Sequence, residues 1–131
     1  MTGVALASAT NAPKYDWTPA EEIKISDGFI SSLANRMGID MNDAKVVLGE
    51  VSVKYGADYD SLYRTIQCES GFRNDGVFGD SGKAYGIAQF HLPTFKQFCT
   101  GDYTNMRDQL DCMAKMFSQN LQSHWTCFNH V

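Results

Sequence analysis

What most limits how this chain can fold is an interruption in its helical pattern. On both sides of residues 72–92, apolar residues recur at helical spacing between recognisable start and stop residues. Between them, "FRNDGVFGDSGKAYGIAQFHL" has neither a helical period nor a strand alternation of any length. Connections between packed elements usually run about four to six residues, and much longer irregular ones are commonly functional. The pattern predicts a mainly α single domain whose helices carry one long loop, with at most a short β-ribbon in it. The loop follows directly on an acid at a helix end, Glu69.

The flanking helices are placed from their ends. "TPAEEIKISDGFISSLANRMG" offers Thr18 as N-cap, Pro19 at the first helical position and Glu21 three residues after the cap. Ile23, Phe29, Ile30, Leu33 and Met37 mark its apolar face, and Asp27-Gly28 is a point at which it can break in two. The next helix starts at Asp40, turns Met41, Ala44, Val47, Leu48 and Val51 inward, and stops at Gly56. A third runs from Asp60 as cap to Gly71. After the loop, Pro93 opens a short helix that Gly101 closes, and Thr104 caps a last one with Met106, Leu110, Met113, Met116, Phe117 and Leu121 facing in. Residues 1–17 are read as a flexible tail, since "MTGVALASATNA" lacks an adequate signal-peptide h-region. Residues 18–131 form the domain, with 18–56 as N-terminal helices and 57–131 as the motif-bearing core.

Composition closes several routes. At 131 residues and 44% hydrophobic, the chain suits one core. A net charge of -4 gives no electrostatic footprint for nucleic acid. Its apolar runs are far short of a spanning helix, so no membrane insertion is expected. Cys68, Cys99, Cys112 and Cys127 include no C-x-x-C pair. Cys127-x-x-His130 is half of a zinc site at most, so no metal is expected. Two disulfides, rather than four buried thiols, are the reading adopted, and they imply an oxidising compartment.

Glu69 shares the helical stripe of Leu62 and Ile66. In the last turn, the helix dipole disfavours its charge by about 0.3–1 kcal/mol. Two environments are open to it. It can bend into solvent or pair with Arg64 or Arg73. Alternatively, it can sit in a partly apolar pocket, where desolvation raises its pKa and keeps a proton available near neutral pH. Phe72, Phe78, Tyr85 and Phe90 are candidates for the apolar wall or for a platform under sugar rings.

These residues carry a family resemblance. "YGADYDSLYRTIQCESGF" resembles the segment of lytic transglycosylases in which a helix delivers a Glu-Ser pair, here Glu69-Ser70. "GDSGKAYGIAQF" resembles the G-D-x-G-x-x-x-G-L-M-Q stretch of goose-type lysozymes, with Gly86-Ile87-Ala88-Gln89 in the place of G-L-M-Q. "CFNHV" takes the place of the family's Tyr-Asn pair, with Phe128-Asn129. The likeness runs from about Tyr55 to the C-terminus. It implies a lysozyme-like domain, a monomer acting without cofactor on peptidoglycan glycan strands, in a periplasmic, cell-envelope or extracellular location.

The resemblance also implies roles. Glu69 is the catalytic acid, later the base for the sugar's own C6 hydroxyl, leaving a 1,6-anhydromuramyl end. Ser70, Asp80, Tyr85 and Gln89 are candidate substrate contacts, as are Phe90, Phe128 and Asn129. Asp80 falls on one of the aspartate positions with which goose-type lysozymes activate water, and His91 stands at the other, which favours a transglycosylase. Asp80 can also simply hold its turn, Gln89 can bond the loop backbone, and His91 is read as a loop or helix-start residue, since nothing nearby forms a nucleophile-base pair with it. Phe128 keeps a ring but lacks the family's hydroxyl, and Ile87-Ala88 replaces Leu-Met. Of three possible cysteine pairings, the resemblance favours Cys68–Cys127 with Cys99–Cys112. A hydrolytic muramidase and a catalytically weak glycan-binding module are the alternatives.

Overall fold

A computed structural model describes residues 26–130. The tail 1–17 and the helix-start features at Thr18, Pro19, Glu21 and Ile23 lie outside the described residues. The chain divides into two compact units, one ending at Arg36 and the other comprising Met37–Val131. The described helix of the first unit is α1 (Asp27–Arg36). The Phe29 backbone N–H donates to Ser26 Oγ at 3.1 Å, so this helix starts where the sequence offers a break. Phe29, Ile30 and Leu33, its large apolar side chains, are exposed, and Ala34 is buried.

The second unit runs α2 (Ala44–Tyr55), α3 (Tyr59–Glu69), β1 (Phe78–Gly79), β2 (Ala84–Tyr85), β3 (Phe90–His91), α4 (Leu92–Phe98) and α5 (Met106–Ser118). Two 3-10 turns, Gln122–His124 and Thr126–His130, follow. The described protein is thus mainly helical, with one small antiparallel sheet in the order β1-β2-β3 inside the long irregular segment.

Three helix starts differ from the sequence reading, each for the same reason. Asp43 rather than Asp40 caps α2, Asp58 rather than Asp60 caps α3, and Asn105 rather than Thr104 caps α5. Each true cap has an extended backbone and a side-chain oxygen accepting an N–H of the first turn. The rivals are engaged elsewhere. Asp40 accepts from the Asn42 N–H, Asp60 pairs with Arg64 one turn on, and the Thr104 hydroxyl donates to Asp102. Gly56 ends α2 as read, at φ +66, a conformation a side chain would oppose, whereas α4 ends at Phe98 with Cys99 as its C-cap, short of the expected Gly101. The third helix stops at Glu69, with Ser70 as its C-cap. Met41, expected inward, is only partly buried ahead of α2.

The core lies between α2, α3 and α5. Val47, Leu48 and Val51 pack with Leu62, Ile66, Leu110, Met113, Met116 and Phe117. Along the α2–α5 seam, Arg107 pairs with Glu50 at 2.9 Å, and Asp111 accepts from Lys54 Nζ at 2.7 Å and from the Tyr55 hydroxyl at 2.8 Å. Phe90, Phe95 and Trp125 extend the core beneath the sheet, with ring centroids 5.1–5.3 Å apart.

Two disulfides staple this unit. Cys68 at the end of α3 joins Cys127 in the C-terminal turn, and Cys99 after α4 joins Cys112 in α5. The separations are 59 and 13 residues, worth about 4 and about 3 kcal/mol respectively in the chain-entropy model. Urea unfolding should therefore show a larger loss for Cys68→Ser/Cys127→Ser than for Cys99→Ser/Cys112→Ser. Melting that does not change on reduction would contradict a structural role for both.

Candidate active site

Glu69 is the last helical residue of α3. Ser70 turns the chain there, and its hydroxyl donates to the Ile87 carbonyl at 2.6 Å, pinning the helix end to the loop. Glu69 is half-buried at one side of a cleft of about 530 Å³, which Asp80, Gln89, His91, His124 and Trp125 also line. That volume is in the usual range for ligand sites.

The sheet forms one wall, and its register decides which side chains face the cleft. Gly79 pairs with Ala84, and Ala84 with His91, so these three share a face. All three line the cleft. Phe78 and Tyr85 sit on the alternate face, ring against ring at 4.8 Å, with Tyr103 behind Tyr85 at 5.4 Å. Phe90 stands opposite Tyr85 in the register and is almost wholly buried, as is Trp125; these two are the aromatic residues of the lining, and Phe72, Phe78 and Tyr85 lie outside it. Phe72 packs on Tyr63 instead, at 4.8 Å.

Buried side chains hold the loop in place. Gln109, from α5, donates to the carbonyls of Tyr85 and Tyr103 and accepts from the Ala88 N–H, at 2.8–3.0 Å. Gly86 has φ +84, and a Cβ there would fall 2.5–2.8 Å from that carboxamide, so the close approach requires glycine. Trp125 Nε1 donates to the Ala88 carbonyl at 2.8 Å, and the Tyr103 hydroxyl to the Phe90 carbonyl at 2.6 Å. The Gln89 amide donates to the carbonyls of Val77 (3.1 Å) and Gly86 (2.8 Å), so it bonds the loop backbone while lining the cleft. Asp80, Ser81 and Gln89 all have φ between +51 and +58. Such non-glycine residues cost about 1–3 kcal/mol each and persist where surroundings over-determine them.

Electrostatically the site favours a protonated acid. Burial is the largest effect on Glu69 and raises its pKa above the ordinary 4.5. The Cys127 N–H, donating to Oε2 at 3.3 Å, and the nearby His91 oppose the rise, while Asp80 adds to it. Neither Arg64 nor Arg73 pairs with Glu69; they bond Asp60 and Asp75. The Cys68–Cys127 disulfide brackets the acid, Cys68 preceding it in α3 and Cys127 supplying its donor.

Of the residues singled out from sequence, the cleft gathers Glu69, Asp80, Gln89 and Phe90. Ser70, Tyr85, Phe128 and Asn129 lie outside its lining. Ser70 bonds the loop, Tyr85 packs between Phe78 and Tyr103, Phe128 packs edge-on against Phe117 at 5.6 Å, and Asn129 is exposed. His91, read as a loop or helix-start residue, stands just ahead of α4 and bonds Asp80 at 2.9 Å. Sequence reasoning missed Gln109 and Trp125. Gln109 breaks the apolar stripe of α5, which is a usable signal, whereas Trp125 lies in a non-periodic segment and gives none. Among the described residues no group of three or more His, Cys, Asp or Glu side chains is arranged to hold a metal ion.

The raised pKa has a definite consequence for stability. A carboxyl whose folded pKa lies above its unfolded value stabilises the fold fully only below the unfolded pKa. That contribution is lost as pH rises through the folded pKa. Glu69→Gln, neutral at every pH, should therefore gain in Tm over the parent as pH climbs from below 4.5, the gain levelling once the parent acid is ionised. Thermal melts across that range check this, and a gain that shrinks with rising pH would contradict it. No protein-family model, curated protein or solved structure matches this chain.

Proposed function

We propose that this protein is a peptidoglycan lytic transglycosylase, cleaving the β-1,4 bond between N-acetylmuramic acid and N-acetylglucosamine with Glu69 as general acid and base. The observation that carries the reading is a half-buried carboxyl, its pKa raised by burial, facing a cleft walled by Phe90 and Trp125. Glycosidic cleavage needs a proton delivered to the leaving oxygen while positive charge develops at the anomeric carbon. A carboxyl whose pKa is raised by burial holds its proton to higher pH than an exposed one and can supply it.

In this reading the Glu69 proton passes to the bridging oxygen as the C1–O bond breaks, and the muramyl N-acetyl group supports C1. The Glu69 carboxylate then takes the proton of the C6 hydroxyl, whose oxygen bonds C1 and closes the anhydro ring. Gln89 keeps its amide protons on the loop and its carbonyl oxygen lies over Gly79, where a Cβ would collide with it, so its part in this reading is to hold the wall of the cleft. Preference for this route over a two-carboxylate one is supported by Asp80, whose carboxylate is engaged by His91. The two disulfides fit an oxidising compartment. Among the described residues no helix is long and apolar enough to cross a membrane. A periplasmic, envelope or extracellular site of action accords with the substrate.

Digestion of purified peptidoglycan by the parent and by Glu69→Gln, with mass analysis of soluble fragments, tests the reading. The parent should release anhydro-muropeptides, and Glu69→Gln should release them about a thousandfold more slowly. Reducing ends alone would make the protein a hydrolytic muramidase. Binding to sacculi without soluble products would make it a glycan-binding module.

A further inference from the structure

We propose that His91, held by Asp80, is a second catalytic residue of this cleft, a proton acceptor that lets water compete for the glycosyl centre. The site would then leave reducing ends beside anhydro ends. The inference rests on the reading of Glu69 as the acid.

The sheet is shaped for this pair. Gly79, Ala84 and His91 form one row across the three strands, which lie about 4.8 Å apart. The first two offer no more than a methyl group. The imidazole therefore meets Asp80, the residue after Gly79, with Nε2 at 2.9 Å from Oδ2. Asp80 takes a left-handed backbone at φ +52, as does Ser81 after it, at a place where stability gains little. With side-chain exposures of 45% and 61%, the pair is the kind of surface contact that contributes about 0–1 kcal/mol. Stabilisation does not account for it.

The geometry also sets the tautomer. A neutral imidazole bonded to Asp80 through Nε2 carries its proton there, which leaves the Nδ1 lone pair as an acceptor. Among the described residues no donor occupies Nδ1. Glu69 and His91 thus line one cleft, the acid of the proposed reaction beside an imidazole nitrogen with a lone pair. His124 lines the same cleft, with its ring against Phe98 at 5.2 Å.

The step balances. The Glu69 proton goes to the bridging oxygen, which leaves with the electron pair of the broken C1–O bond. A water oxygen forms the new bond to C1, and its proton passes to His91 Nδ1. Asp80 stabilises the imidazolium, whose proton returns through solvent to the Glu69 carboxylate. The C6 hydroxyl closing on C1 is the competing fate of the same centre.

The test is the ratio of reducing to anhydro ends released from purified peptidoglycan by the full chain, by His91→Gln and by Asp80→Asn. The parent should give both ends. His91→Gln should lower the ratio by about a hundredfold, within the range a positioned general base contributes. Asp80→Asn should lower it in the same direction. Azide, which needs no base, should give a glycosyl azide product with His91→Gln. A parent that makes anhydro ends alone would overturn this proposal and leave the Glu69 reading standing. A ratio unchanged in His91→Gln, both kinds of end falling together, would assign the pair a structural role and overturn it as well. A parent that releases neither kind of end would remove the Glu69 reading itself.

Discussion

The buried carboxamide of Gln109 reaches from α5 to backbone groups at Tyr85, Ala88 and Tyr103, and the cleft depends on those contacts. A segment as long and irregular as residues 72–92 has many backbone donors and acceptors to satisfy once its ends are packed on a core. Each one left buried without a partner costs about 1–3 kcal/mol. Gln109 from one side, Trp125 and Ser70 from others, and Gln89 from within the loop answer that demand with side chains. The outcome is a hydrogen-bonded wall in which Gly79 makes room for the Gln89 carboxamide, and Gly79, Ala84 and Gln89 line the cleft together with Glu69.

Glu69 is where packing becomes chemistry. Its helix ends at the cleft, which Phe90 and Trp125 also line, and the carboxyl is half-buried there. Burial and the negative end of the helix both work against ionisation. One backbone donor, at Cys127, works the other way, and a disulfide to the residue before Glu69 fixes that donor's position. The net effect is a raised pKa. In the proposed reaction, where Glu69 gives a proton and later takes one back, these opposing influences bear on both steps.

Much of this was legible in the sequence because it follows from local periodicity. The helices around Leu48, Ile66 and Met113 and the placement of Glu69 at a helix end come from apolar spacing and glycine stops, whereas the ribbon inside residues 72–92 has no strand alternation to mark it. The helix starts slipped by one to three residues, since Asp40, Asp60 and Thr104 have capping chemistry that only the backbone conformation excludes. Which aromatic rings face the cleft was not legible. A one-residue choice of sheet face puts Tyr85 behind the wall and His91 in front of it, and two-residue strands are too short to show that alternation. The Asp80–His91 bond spans eleven positions and requires the sheet register, so no local pattern announces it. Gln109 and Trp125 act entirely through tertiary contacts, and sequence marks Gln109 only as a polar residue out of place.

The most direct test of the account is the titration of Glu69 itself, followed by carbon NMR of its side-chain carboxyl in the full chain and assigned by its absence in Glu69→Gln. The structure predicts a midpoint above the ordinary glutamate value of 4.5. A midpoint at or below it would mean that the Cys127 donor and the cleft's charges outweigh burial, and would contradict the reading of Glu69 as the proton donor.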